Sequence, residues 1–307
     1  MLDYALIHAL ASVVREGSFE RAAKALHVTP SAVSQRVKTL EERMGTVLVV
    51  RGQPCTATAA GLSLCRHADM VGLLESELSR AMPGLALSGA NTLTPPIRVA
   101  VNADSLATWF MTAFAAFAGP NLALLDIVLD DQDHTADWLR QGQVMAAVTA
   151  TPEPVQGCKS IYLGHLRYAA TASPAFTKRY FKDGVTASSL ALAPALVFNA
   201  KDRLQEIWLA QHLGQHLLPP MHRLPSSQAF VEAALLGIGW GMNPICLVAA
   251  HLKSGALVEL VPGHVVDVAL YWQHTRLAMQ QIERLTQQVM AAAAGLLLQR
   301  PSINESR

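Results

Sequence analysis

Apolar residues in the first third of the chain recur every three or four positions. Leu2, Leu6, Leu10 and Val13 mark a helix over 2–16 that stops at Gly17. Phe19, Ala22, Ala23 and Leu26 mark a second helix, with Ser18 placed to cap it. His27-Val28-Thr29-Pro30 breaks the period; Thr29 suits an N-cap, and Pro30 a first helical position, where its missing N–H costs nothing. On the third helix Val33, Val37, Leu40 and Met44 share one face, and Ser31, Ser34, Gln35 and Lys38 share the opposite one. Residues 47–51 then read as a strand, 52–54 as a turn and 55–57 as the returning strand. The longest helical pattern follows over 59–85, with Leu64, Val71 and Leu78 seven apart and Leu74 and Ala81 between them.

The pattern changes after 87–96, a stretch rich in Ser, Gly, Asn, Thr and Pro that reads as a hinge. Apolar strands now alternate with helices. Strands are predicted over 97–101, 124–129, 144–149, 159–163, 166–171, 195–199 and 268–272. Helices are predicted over 104–118, 133–141, 202–213, 226–237 and 279–298. This is an α/β body whose length suggests two sub-domains behind a mainly helical head.

The outward face of the third helix gives the first chemistry. It is small and polar, with one lysine, whereas a merely solvated face carries mixed Glu and Lys. Gln pairs bidentately with adenine, serines reach either partner, and a helix N-terminus meets phosphate. Ser31, Ser34 and Gln35 are therefore candidates to read bases, and Lys38 and Arg51 to hold phosphate or groove edges. The plain alternative is an αα-hairpin in a helical domain, with Arg51 a solvated strand-end arginine. The long helix likewise has two readings, a seam against a second copy or packing on its own domain.

Net charge is only +1, but residues 1–66 hold eight Lys/Arg against five Asp/Glu, so the head is mildly basic and the body mildly acidic. Cys55, Cys65, Cys158 and Cys246 form no CxxC pair and read as reduced thiols. No apolar run is long enough to span a bilayer, and the start lacks the basic-then-apolar pattern of a secretory leader. A cytoplasmic protein with no membrane association is expected.

The head sequence FERAAKALHVTPSAVSQRVKTLEERMG, the wing ending in Arg51 and TAAG before the long helix resemble LysR-type transcriptional regulators. NADSLATW, YFKDGVT, SSQAFV and LYW in the body resemble one branch of them, the ArgP/LysG group also labelled chromosome-initiation inhibitors. The resemblance implies a winged helix-turn-helix over 1–58, a linker and dimerisation helix over 59–88, and an effector-binding domain over 89–307. That domain would have two lobes like those of periplasmic binding proteins, the first over about 96–165 and 266–300, the second over about 166–265, with two crossings between them. It also implies a homodimer or a dimer-of-dimers tetramer on double-stranded DNA. The implied effector is lysine or arginine, in control of amino-acid export or metabolism; a different small metabolite is the alternative. Asn199 and Gln228 stand where branch members often carry acidic residues, and nothing basic lies between Arg51 and Arg66.

Ligands of open α/β sheets sit beyond the carboxyl ends of strands, where helix N-termini attract anions. Strand 97–101 runs into Asn102-Ala103-Asp104-Ser105, so Asn102, Ser105 and nearby N–H groups are candidates for an α-carboxylate. Thr149, Asn199 and Ser226 end strands or open helices and are candidates for the facing wall; Asp104 and Asp130 are candidates for a cationic group. A plain helix cap would also account for Asp104. No catalytic residues, cofactor or metal are expected: the chain has no Gly-x-Ser-x-Gly, P-loop, GxGxxG after a strand or HExxH. His212, His216 and His222 lack neighbouring Cys or carboxylate ligands and read as solvated histidines rather than a zinc site. The Asp130, Asp131, Asp133 and Asp137 cluster reads as a strand end and a helix first turn.

Overall fold

The computed structural model describes residues 2–82, 96–119, 124–130, 135–214, 216–277 and 279–299. The hinge over 87–95, Asp131 and Asp133 lie outside them. The chain divides into two compact units, Met1–Pro96 and Ile97–Arg307.

In the first unit, α1 (Tyr4–Glu16), α2 (Phe19–Ala25) and α3 (Pro30–Met44) pack on one another. Their ends follow local chemistry. Ser18 Oγ accepts the Arg21 N–H, Thr29 Oγ1 accepts the Ala32 N–H, Pro30 sits in the first turn, and Gly17 and Gly45 close α1 and α3 in the left-handed region. The core holds Ile7, Leu10, Val13, Ala22, Ala23, Val33, Val37 and Leu40, the inward faces the periodicity marks. The wing is shorter than expected: β1 (Val49–Val50) and β2 (Thr56–Ala57) pair over two residues each. The rest of its loop is held by the Cys55 N–H on the Gly17 carbonyl at 2.8 Å and by Glu41 accepting the Leu48 and Val49 N–H groups.

The long helix α4 (Ala59–Ala81) combines both readings offered for it. Gly61 lets it lie against the wing, since a Cβ there would fall inside contact distance of the Leu48 carbonyl oxygen. Its first half docks on the head: Cys65 and Ala68 are buried there, Leu64 packs on the same core, Tyr4 meets His67 at 3.0 Å and Arg15 meets Asp69 at 3.0 Å. Leu64 thus leaves the expected seam. In the second half Leu74, Leu78 and Met82 are 42, 44 and 51 % exposed, four residues apart on one face.

The second unit runs β3 (Ile97–Asn102), α5 (Ala103–Ser105), a π turn (Leu106–Phe110), α6 (Met111–Ala118), β4 (Leu125–Asp130), α7 (Thr135–Arg140), β5 (Ala146–Thr149) and β6 (Cys158–Ala172). It continues with α8 (Pro174–Tyr180), α9 (Ala187–Leu192), β7 (Ala195–Val197), α10 (Leu204–Leu213), β8 (Met221–Arg223) and α11 (Ser227–Leu235). It closes with β9 (Gly241–Pro244), α12 (Ile245–Ser254), β10 (Val258–Glu259), β11 (Val265–Thr275) and α13 (Gln280–Leu296). One sheet has the order β10-β6-β11-β5-β3-β4, with β9 also on β6; β3, β4 and β5 are mutually parallel, and β7 and β8 form a separate parallel pair. Because β6 and β11 are long, the unit has two halves that share them. The front half carries β3, β4 and β5 with α6 and α13; the back half carries β7 to β10 with α10 to α12.

The strands expected over 159–163 and 166–171 are one strand. Gly164 made the sequence look broken, and it instead supports a bulge: Leu270 pairs with Gly164 and Tyr271 with Tyr162, leaving Leu163 extra. Gly164 has φ +132°, and a Cβ there would lie 2.8 Å from the Leu297 Cβ. The tail after α13 closes over this point, with Leu298 and His165 exchanging backbone hydrogen bonds of 2.9 and 3.0 Å. Replacing Gly164 by Ala is expected to cost at least the strain of a disfavoured backbone region, about 1–3 kcal/mol. A melting scan of the variant should show a drop of roughly 2–4 °C per kcal/mol; an unchanged midpoint would mean the bulge has another origin.

Candidate functional site

Two separate surfaces carry chemistry, one in each unit. In the first unit the inward residues of α3 fix its opposite face. Ser31, Gln35 and Lys38 are exposed and Ser34 is half-buried, so the four stand on one side of the helix. Ser31 Oγ lies 3.0 Å from Thr29 Oγ1 at the helix start, and Lys38 pairs loosely with Glu42 at 3.7 Å. Arg51, just past β1, is not merely a strand-end residue: its guanidinium lies over the Phe19 ring at 5.2 Å, which steadies it beside the start of α2. That contact is not visible in the spacing of the two residues. The arrangement offers neutral donors and acceptors flanked by cations, suited to base edges and phosphates.

In the second unit a cleft opens at the carboxyl ends of β3 and β4. Asn102 and Asp130 are register partners at those ends, and Asp104 follows at the opening of α5. These three of the expected residues line the cleft together. The facing wall comes from the back half: Phe198, Asp202 and Leu204 before and within α10, Ser227 and Phe230 of α11, and Met242 to Pro244 of β9.

The other four expected residues stand elsewhere. Ser105 is fully buried behind the cleft, Thr149 is buried and accepts the Thr151 N–H, Asn199 is folded back on its own loop, and exposed Ser226 caps the Ala229 N–H. For Asn199 and Ser226 a polar neighbour replaces them in the wall, Asp202 and Ser227. In both, the side chain satisfies local backbone donors and so turns away from the cleft. Exposed Gln228 is outside the lining too.

The carboxylates are held differently. Asp104 Oδ2 accepts the Tyr168 hydroxyl at 2.9 Å and Oδ1 the Ser227 hydroxyl at 2.7 Å, so one side chain joins the two halves rather than serving as a simple cap. Burial, and next the Asp104 charge, hold the Tyr168 phenol well above its usual range, so it stays a donor. Asp130 Oδ2 accepts the Trp138 indole N–H at 2.9 Å, and Oδ1 lies 3.6 Å from Lys201 Nζ. Asp202 is committed to backbone, accepting the Phe198 and Leu204 N–H groups at 2.8 and 3.0 Å, although burial pushes its pKa up. Asn102 Oδ1 is buried without a hydrogen-bond partner. Two carboxylates and an orphan acceptor on one wall, faced by apolar Phe198, Leu204, Phe230 and Met242, would accept a cationic group on an aliphatic stem.

Other chemistry considered from sequence takes a structural form. His212 is not simply solvated: it stacks on Trp208 at 5.2 Å and meets His264 edge-on at 5.3 Å. Burial raises Cys65 to about 11 and also raises Cys158 and Cys246, so these three thiols keep their protons.

Residues 4–62 match the family described as bacterial regulatory helix-turn-helix protein, lysR family, and residues 90–294 the LysR substrate binding domain. The chain is 46 % identical to the HTH-type transcriptional regulator LysG of Mycobacterium tuberculosis H37Rv, over 96 % of this chain and 95 % of that one. Among solved structures, ArgP from Mycobacterium tuberculosis is 45 % identical with a TM-score of 0.78, covering 97 % of this chain and 99 % of that one. Full-length LysG from Corynebacterium glutamicum with bound effector Arg is 38 % identical with a TM-score of 0.68, covering 97 % and 100 %.

The exposed face of α3 generates a direct test. On a duplex selected from a random pool by the protein itself, Gln35→Ala is expected to lose about 1–3 kcal/mol and relax one base position. Arg51→Ala should weaken all sequences alike and flatten the salt dependence. Gel-shift titrations over a series of salt concentrations check both, and an unchanged sequence preference in Gln35→Ala would remove α3 as the reading helix.

Proposed function

The chain belongs to the LysR family of bacterial transcriptional regulators, and from that premise we propose that it binds lysine or arginine in the cleft of its second unit and reads DNA with α3 as a symmetric oligomer. The observation that carries the effector reading is the acceptor-rich end of β3 and β4, where Asn102, Asp104 and Asp130 face a mixed wall of Phe198, Leu204, Phe230 and Met242 beside Asp202, Ser227 and Asn243. A basic amino acid matches it with two cationic groups and an aliphatic stem. The relative solved with bound effector Arg supports the same class of ligand. Asp104 and Asp130 are the anchors for the cationic groups, and Asn102 with the N–H groups opening α5 serves the α-carboxylate and ammonium. Ser105, Thr149, Asn199 and Ser226 act one step removed, through burial, loop shape and capping.

A ligand that touches both halves favours the arrangement in which they are close, and this shifts the population of the whole assembly. The protein works in this reading as a cytoplasmic binding protein rather than an enzyme; no helix among the described residues is long and apolar enough to cross a membrane. The exposed stripe Leu74, Leu78 and Met82 on α4 is the surface for a second copy, which places two recognition helices on one duplex with two-fold symmetry.

Two measurements check this reading. Calorimetry on the full chain should show binding of L-lysine or L-arginine, and Asp130→Asn should weaken it roughly 10- to 100-fold, the worth of a charge-assisted hydrogen bond. Binding of an unrelated metabolite with no heat from either basic amino acid would overturn it. Separately, Leu78→Glu should halve the native mass of the dimer without lowering helical content, because the side chain is already exposed in the single chain. A native mass of one chain for the unaltered protein would remove the α4 surface.

A further inference from the structure

Lys201, next to the cleft-lining Asp202 and against the cleft-lining Asp130, is singled out by no pattern in the sequence. Its Nζ lies 3.6 Å from Asp130 Oδ1, bringing a cation from the back half to a carboxylate of the front half. The loop that presents it is built for position. Asn199 Oδ1 accepts the Lys201 N–H at 2.7 Å and the Asp202 N–H at 3.2 Å, while the Asp202 carboxylate accepts the Phe198 and Leu204 N–H groups at 2.8 and 3.0 Å. Two polar side chains are thereby used up in shaping the five-residue turn that carries Lys201. The receiving carboxylate is fixed too, by the Trp138 indole N–H at 2.9 Å on its other oxygen.

The contact itself is loose. At 3.6 Å it is an ion pair longer than a good N–H···O hydrogen bond, and the Lys201 side chain is half exposed. Such pairs contribute little stability and are readily exchanged. Chemically, Lys201 offers Asp130 the same primary ammonium on a four-carbon stem that free lysine would bring, and arginine would bring a guanidinium able to pair with both carboxylate oxygens.

We propose that Lys201 is a built-in competitor for the cationic subsite at Asp130, placed there by the Asn199–Asp202 turn, so that a basic effector binds by displacing it. This rests on the reading of the cleft as a basic amino-acid site. The consequence is a tax on affinity: the apparent Kd equals the intrinsic Kd divided by the fraction of molecules in which Lys201 has left Asp130. The tax falls on ligands with a cationic side chain and not on neutral ones, which leave the Lys201–Asp130 pair in place. Lys201 therefore sets both the threshold of response and the charge selectivity of the cleft. It also accounts for Asn199 standing where a ligand-facing carboxylate was a natural expectation: its work is to hold the turn.

The test is calorimetry on the full-length protein with L-lysine, L-arginine and uncharged L-norleucine, in the wild type, Lys201→Met, Asp130→Asn and the double variant. Lys201→Met should tighten lysine and arginine roughly 3- to 10-fold and leave norleucine unchanged. The gain should vanish when Asp130 is already Asn, because there is no subsite left to compete for. Weaker binding of all three amino acids in Lys201→Met would overturn the proposal and make Lys201 a holder of the α-carboxylate. Equal lysine affinity in wild type and Lys201→Met would overturn it and leave the basic-effector reading standing. Absence of lysine and arginine binding in both proteins would bring down that reading and the competitor with it.

Discussion

The antiparallel ladder between β6 and β11 is the constraint on which the second unit depends. It runs from Val265 against Ala169 to Thr275 against Cys158, and each half of the unit hangs from one end of it. At one end β11 pairs with β5, bringing β3 and β4 into register; at the other β6 takes β9 and β10. The bulge at Leu163 and Gly164 interrupts the ladder between these ends and raises the local twist. The two walls of the cleft therefore hang from opposite ends of one shared strand pair.

The polar chemistry of the cleft follows from that division. Asp104 is satisfied by Ser227 and Tyr168, Asp130 is met by Lys201, and in each case a front-half carboxylate receives a donor from the back half or from the shared strand. These contacts are replaceable in different degrees. The Asp104 hydrogen bonds are short and partly buried, with Tyr168 held protonated by burial. The Lys201 contact is long and solvated. In the proposed reading, a cationic ligand would meet the more exchangeable partner at Asp130, since the Asp104 hydrogen bonds are the shorter contacts.

How much of this was legible in the sequence depends on how local each feature is. The head was readable because its signals act within one turn: Ser18, Thr29 and Gly45 each decide a helix end by bonding a backbone group three or four residues away, and Pro30 fits a first turn that needs no N–H. The strand-end positions of Asn102, Asp104 and Asp130 were readable for the same reason. Gly164 misled, because a glycine in a strand pattern marks an end or a bulge and only long-range pairing with β11 tells which. The back wall was harder. A Ser or Asn at a helix start or strand end is a candidate ligand contact and also a natural cap or turn former, and in Ser226 and Asn199 local backbone donors win. Ser227, next in the chain and without a cap to make, takes the wall by donating to Asp104, while Asp202 lines it although it too holds local N–H groups. Phe230, Met242 and Asn243 arrive from elements that sequence periodicity could assign to the core but not to a particular cavity.

The division of α4 shows the same competition between local and distant demands. Heptad spacing treats Leu64, Val71, Leu74 and Leu78 as equivalents, yet Leu64 packs on the head with Cys65 and Ala68, Val71 is half-buried, and Leu74 and Leu78 remain exposed. A seam shared with a second copy can begin only where the head stops using the helix, after the Tyr4–His67 and Arg15–Asp69 contacts. Those contacts do more than stabilise the head. They lock the rotational phase of α4 relative to α3, because both helices pack on α1. In the proposed pairing, a helix clamped through its first half and paired through its second would pass the geometry of pairing to the outward face of α3. A change in how two copies pair is then a change in the spacing of two α3 helices, the quantity to which binding at two half-sites is sensitive.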